Sequence, residues 1–210
     1  MTQHRSPATE RPGSGRDSAA AEPGERLRIV AVSGSLHRPS STTALVAALA
    51  AAVAQRIDAD IRLVELAEVG PHLGGALERA ALPAEAELAI EAIEDADLLV
   101  VGSPVYRASF TGLFKHLFDF VDQRALVDTP VLLAATGGSH RHALTIEHQL
   151  RPLFAFFQAL TLPVGVYAAS DEFADGIVRD QGVLDRIEAA ADRALPYLVH
   201  RPTLVRPVAW

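Results

Sequence analysis

Residues 28–46 read RIVAVSGSLHRPSSTTALV: a short apolar strand that runs straight into a loop of Gly, Ser and Thr, and from there into a helix. A strand apolar on both sides is buried on both faces, and a strand followed at once by a helix belongs in a parallel sheet whose crossovers cover those faces. The pattern recurs. Strands are expected at Arg28–Ser33, Asp60–Leu66, Asp97–Gly102, Pro130–Thr136 and Val164–Ala168. Helices are expected at Thr42–Gln55, Ala84–Glu94, Phe110–Val121, His142–Leu160 (which contains Pro152) and Leu184–Tyr197, with Val69–Ala81 as a Gly- and Pro-bearing loop. Five strands separated by helices predict a three-layer α/β sandwich with right-handed crossovers.

The 210 residues, 49% of them hydrophobic, suffice for one such domain at residues 27–200. Residues 1–26 are polar and rich in Pro, Gly, Ser and Ala, which reads as a disordered leader without the apolar core of a secretory signal. Residues 201–210 read as a tail. A net charge of −7 with dispersed Lys and Arg argues against nucleic acid or an anionic membrane as partner. The absence of Cys excludes disulfides, thiol catalysis and Cys-ligated metal. No apolar run reaches the roughly 20 residues of a membrane span, so the expected compartment is the cytoplasm. His140 and His142 lie close together but lack HExxH spacing, so no metal is expected.

Ligands of such sheets sit beyond the carboxyl ends of the strands, where strand order reverses. Three loops there are unusual. The first, GSLHRPSSTT, presents Ser35, Ser40, Ser41, Thr42 and Thr43 before a helix N-terminus, an arrangement that suits a phosphate. It has neither GxGxxG spacing nor the Lys of GxxxxGK[ST], so a monophosphate fits better than a triphosphate, and FMN is the first candidate. The second, GSPVYRASFTG, places Pro104, Val105, Tyr106 and Arg107 where a flat ring needs a close backbone and an aromatic wall. The third, TGGSHRH, places Thr136, Gly137, Gly138 and Ser139 where glycine permits close approach to a ring edge.

The stretches GSLHRPSSTTAL, GSPVYRASFTGLFKHLFD and LLAATGGSHRHALTIEHQLRPLFAFF resemble the NAD(P)H-dependent FMN reductases, in particular the branch that supplies reduced flavin to two-component monooxygenases in sulfonate use. The likeness spans about residues 28–170. It implies a flavodoxin-like sandwich with a five-stranded parallel sheet of order 2-1-3-4-5. It implies that Ser35, Ser40, Ser41, Thr42 and Thr43 hold the FMN phosphate. Pro104, Val105, Tyr106 and Arg107 would line the ring and ribityl chain, and Thr136, Gly137, Gly138 and Ser139, with His142, the far ring edge. Lys115 and Asp119 would be structural, on a helix at a subunit interface. In a relative an inserted Tyr makes a π-turn at a tetramer interface, and His148 occupies the matching position.

The implied reaction is hydride transfer from the nicotinamide C4 of NADPH or NADH to N5 of FMN. The flavin supplies that chemistry, so no catalytic acid or base is expected, and the sequence contains no convincing triad. Reduced flavin would pass to a monooxygenase. The rival on the same fold is a quinone or azo reductase that keeps its flavin bound; a non-catalytic electron carrier is disfavoured by a third loop without an aromatic residue. The aromatic residues of Phe110–Val121 and Leu150–Ala159 exceed what one sheet face needs, which points to a homodimer or homotetramer.

Overall fold

The computed structural model describes residues 26–199. The expected leader, apart from Arg26, and the expected tail lie outside the described residues. Arg26 forms ion pairs with Asp58 and Asp60, each at 2.7 Å.

Four long strands, β1 (Leu27–Ser33), β2 (Ala59–Glu65), β3 (Leu98–Pro104) and β4 (Pro130–Gly137), pair in parallel in the order β2-β1-β3-β4. The fifth position holds two short pieces, β5 (Leu160–Thr161) and β6 (Val166–Ala169), both parallel to β4. The order 2-1-3-4-5 is thus the observed one, with its last strand divided. Pro163 lies in the gap, where a residue without an N–H interrupts a ladder least. The helices are α1 (Ser41–Ala54), α2 (Leu66–Leu73), α3 (Ala84–Glu94), α4 (Gly112–Asp119), α5 (Arg151–Phe156) and α6 (Gln181–Val199).

Alternation along the strands sorts the core into two layers. Ile29, Ala31, Leu98, Val100, Leu132 and Ala134 pack with α1 and α6. Val30, Val32, Leu99, Val101, Leu133 and Ala135 pack with α2, α3, α4 and α5. Because every central strand is covered on both faces, only the strand ends remain to build a site.

Three expectations about local structure are corrected. The stretch Val69–Ala81 is no simple loop: α2 starts directly at the end of β2 and a 3₁₀ turn occupies Arg79–Ala81. Helix formation survives Gly70 and Pro71 because Leu66, Gly70 and Leu73 are buried, and a Cβ on Gly70 would already stand 3.3 Å from Leu113 of α4. Tertiary packing here overrides propensity. The single helix expected at His142–Leu160 is three segments: a 3₁₀ turn at His140–His142, a π-turn at Ile146–Leu150 and then α5. Pro152 has no N–H to give to the carbonyl of His148, so an α-helix cannot run evenly through it. The Arg151 N–H instead reaches the Ile146 carbonyl, the wider π spacing, and His148 sits at the centre of that turn. Finally, β7 (Phe173–Ala174) and β8 (Ile177–Val178) form a small hairpin absent from the sequence reading. Its turn, Asp175 and Gly176, has positive φ at both residues, the geometry hairpins favour.

The aromatic surplus of α4 and α5 is mostly internal. Phe114, Phe118, Phe120, Phe154 and Phe157 are buried within the chain, and the Phe118 and Phe154 rings meet edge to face at 5.0 Å. Phe156, 53% exposed, borders a groove of about 460 Å3 shared with Phe118, Val121, Leu153 and Phe157. Lys115 and Asp119 pair with each other on the exposed side of α4. No helix among the described residues is long and apolar enough to cross a membrane.

Candidate functional site

The loops after β1, β3 and β4 are tied to one another by hydrogen bonds. The Gly34 N–H donates to the Gly102 carbonyl at 2.7 Å, and the Thr111 hydroxyl donates to the Gly34 carbonyl at 3.0 Å. The Val105 N–H donates to the Thr136 carbonyl at 2.7 Å. Thr42 and Thr136 share a hydroxyl hydrogen bond of 2.6 Å beneath all three loops. Gly34 is required by space: a Cβ there would stand 2.8 Å from the Phe114 ring and 3.1 Å from the Gly102 carbonyl oxygen.

In the first loop the hydroxyls divide into two groups. Ser35 donates to the His37 carbonyl at 3.1 Å. Thr43 donates to Glu65 at 3.1 Å and lies 2.8 Å from the Ser33 hydroxyl. Thr42 is only 2% exposed and is engaged with Thr136. The Ser35, Thr42 and Thr43 hydroxyls are thus each engaged in hydrogen bonds within the chain. Ser40 is the N-cap of α1 and accepts the Thr43 N–H at 3.1 Å, which leaves its own proton to donate. Ser41 makes no side-chain hydrogen bond among the described residues. With the N–H groups of Ser41 and Thr42, which have no acceptor within the first helical turn, these two hydroxyls form a donor set at the helix N-terminus. That set suits a phosphate monoester.

Removing the buried hydroxyl pair tests the support beneath this site. Thr136→Val should strand the Thr42 hydroxyl and cost about 1–3 kcal/mol. Urea unfolding reads it, and the Thr42→Val/Thr136→Val pair should recover much of the loss; wild-type stability in the single variant would show the bond to be idle.

The second loop folds back as a tight turn. Tyr106 and Ser109 exchange backbone hydrogen bonds of 2.8 and 3.1 Å, and Arg107 and Ala108 between them have φ of 51° and 67°. Two successive non-glycine residues in this region store strain, and such strain concentrates at ligand sites. Tyr106 and Arg107 are exposed at the tip, Pro104 and Val105 half-buried at its base. Ser109 donates to Gln149 at 3.1 Å, which joins this turn to the π-turn.

The third loop is anchored by a residue the sequence reading passed over. Tyr167, 4% exposed, donates from its hydroxyl to the Ser139 carbonyl at 2.5 Å. Ser170 donates to the Gly137 carbonyl at 3.2 Å. Gly138 has open space around its missing side chain, so its backbone is bare toward solvent. Burial, reinforced by the charge of Glu172, pushes the Tyr167 phenol above its ordinary pKa. Glu172 accepts the Ala169 N–H at 2.6 Å and stands 3.7 Å from His140. His142 is exposed on the 3₁₀ turn, and its N–H donates to the Ser139 carbonyl at 3.3 Å. Arg141, exposed beside it, is a further cation at this edge. Aromatic spacing on a buried strand gave no sign of Tyr167; only its place two residues into β6, beside β4, reveals it.

Comparison with known proteins identifies the family. Residues 27–174 match the family model described as NADPH-dependent FMN reductase. The chain is 55% identical over 170 residues to the NADH-dependent FMN reductase SfnF of Pseudomonas fluorescens, covering 81% of this chain and 91% of that protein. It is 51% identical over 180 residues to an FMN reductase (NADPH) of Pseudomonas aeruginosa, covering 86% and 97%. Among solved structures, the apo form of the NADH:FMN oxidoreductase EmoB superimposes with a TM-score of 0.72 at 31% identity, covering 81% of this chain and 89% of that one. With most of its folded length matched in sequence and in topology, the chain belongs to the NADPH-dependent FMN reductase family and is an NAD(P)H:FMN oxidoreductase on a flavodoxin-like fold.

Proposed function

We propose that the protein oxidises NADPH or NADH with FMN as an exchangeable partner and releases reduced flavin to a flavin-dependent monooxygenase in the cytoplasm. The observation that carries this reading is the donor set at the start of α1, Ser40, Ser41 and the N–H groups of Ser41 and Thr42, on a loop that hydrogen bonds tie to the β3 and β4 strand ends from which the Tyr106–Ser109 turn and the Gly137–Ser139 loop extend. FMN, when bound, supplies the hydride acceptor. The chain's part is to grip the phosphate at α1, to hold the ring beside Pro104–Arg107, and to offer backbone N–H groups of the third loop to the ring's polar edge. Beneath these loops the Thr42–Thr136 pair is shielded from water. No side chain here is asked to move a proton.

Exchange of the flavin is favoured by a phosphate site built from hydroxyls and amides, with Arg38, the cation on the same loop, already engaged by Glu65 and Glu68. Association into a homodimer or homotetramer is supported by the α4/α5 groove and exposed Phe156, and light scattering of a monomer at micromolar concentration would refute it. The deciding experiment is steady-state oxidation of NADPH and of NADH with free FMN, FAD or riboflavin. FMN-dependent turnover is expected; its absence with both nicotinamides overturns the reading. Ser41→Ala should raise the Kd for FMN roughly tenfold, the loss of one charge-assisted hydrogen bond, and leave that for riboflavin nearly unchanged. Titration of flavin fluorescence measures both.

A further inference from the structure

One cluster beside the phosphate loop is larger than the loop's own architecture requires. Glu65 ends β2 directly alongside Ser33 of β1, and its carboxylate is 11% exposed. It accepts the Thr43 hydroxyl at 3.1 Å. It also receives the Arg38 guanidinium at two points, one of them from Nε at 3.2 Å. Arg38 reaches Glu68 as well, at 2.6 Å. Arg38 stands two residues before the N-cap of α1, on the loop that frames the donor set. One cation is thus shared by two carboxylates at the mouth of an anion site. The hydrogen bonds of Glu65 and Glu68 hold the guanidinium protonated and raise its pKa further.

This arrangement bears on how tightly a phosphate is held. A carboxylate placed one hydroxyl away from a phosphate cradle disfavours the incoming dianion through a partly buried, low-dielectric path. A guanidinium is a bidentate partner for carboxylate and phosphate alike, so one engaged by two carboxylates reaches a phosphate only by giving those contacts up. Resting on the FMN reading of the site, we propose that Arg38 is the counter-charge of the flavin phosphate and that Glu65, assisted by Glu68, competes for it, so that the pair sets how readily FMN exchanges. The two carboxylates are specificity-determining groups: they weaken phosphorylated flavins and leave riboflavin alone.

The test compares FMN with riboflavin in the full chain. Glu65→Gln keeps shape and an acceptor for Thr43 but frees Arg38, and should lower the Kd for FMN roughly five- to twentyfold while that for riboflavin stays put. Glu68→Gln, on an exposed side chain that serves only Arg38 in these contacts, should act in the same direction and more weakly. Arg38→Ala should weaken FMN roughly tenfold without touching riboflavin. In the Arg38→Ala background the gain from Glu65→Gln should largely vanish. A Glu65→Gln variant that binds FMN no more tightly overturns the proposal, as does one that tightens both flavins equally. A gain that persists in full without Arg38 overturns it too, because the carboxylate would then act by repulsion alone. FMN-dependent NAD(P)H oxidation by the wild type stands or falls separately: with turnover present and these shifts absent, the competition is wrong and the reductase reading survives.

Discussion

Gly102→Ala is expected to destabilise the fold by about 2–3 kcal/mol, the upper range for forcing an extra methyl into a packed interior. Gly102 lies on β3 between Ser33 of β1 and Ala134 of β4, and a Cβ there would stand 2.5 Å from Val46 Cγ1. The β-branched Val46 is buried on α1 and stiff about its first torsion, so it has no rotamer with which to retreat. The added methyl would also stand 3.4 Å from the Thr42 methyl, so the displacement reaches the hydroxyl pair under the site. Chemical denaturation reads the loss, and Val46→Ala in the same chain should return most of it. Stability unchanged by Gly102→Ala would mean that α1 and β3 leave room for a methyl between Gly102 and Val46.

The second large effect is on the loop after β4. A Cβ on Gly137 would collide with the Tyr167 hydroxyl, the group that holds the Ser139 carbonyl. Gly137→Ala is therefore expected to displace that loop and weaken FMN by about 1.4 kcal/mol, a factor of ten. Tyr167→Phe removes the colliding atom, and the ring carbon behind it lies at an ordinary 3.5 Å, so the double variant should recover the steric part of the loss. Wild-type FMN affinity in Gly137→Ala would sink the argument.

The same tyrosine has a pH signature. Its folded pKa is raised by burial above the ordinary phenol value, so the stability it contributes is fully present below the unfolded pKa of about 10 and is lost as pH rises through the higher folded value. An alkaline step in stability, absent from Tyr167→Phe, is expected.

What the sequence made legible follows from periodicity. Short double-sided apolar runs such as LLVV at residues 98–101, too brief for a helix and bounded by Asp97 and Gly102, read as covered strands, and the hydroxyl-rich loop before Thr42 marked a helix start within one residue of the observed Ser41. The sequence also pointed to three loops, rich in Gly, Pro and Ser at strand ends, which the structure joins by hydrogen bonds beyond β1, β3 and β4. It did not separate hydroxyls that face out from those that face in. Thr42 and Ser41 are neighbours of nearly equal chemistry, and only the approach of β4 decides that the Thr42 hydroxyl is taken up in a hydrogen bond with that of Thr136. It missed Tyr167 and Glu65 for the same reason: each acts through a partner about 20 or more residues away, Ser139 and Thr43 respectively. The π-turn was legible only as a position, His148; its geometry follows from Pro152, whose consequence is felt four residues earlier in the chain.

The break in the last strand has a consequence for self-recognition. With its outermost rung divided into pieces of two and four residues around Pro163, that flank of the sheet presents no continuous template for a stray strand. The opposite flank is different: β2 is seven residues long, with Ile61 and Leu63 uncovered among Asp60, Arg62 and Glu65. Charge, rather than chain interruption, is what guards that margin, so neutralising Asp60 and Arg62 together should make the protein prone to edge-to-edge polymerisation from that side.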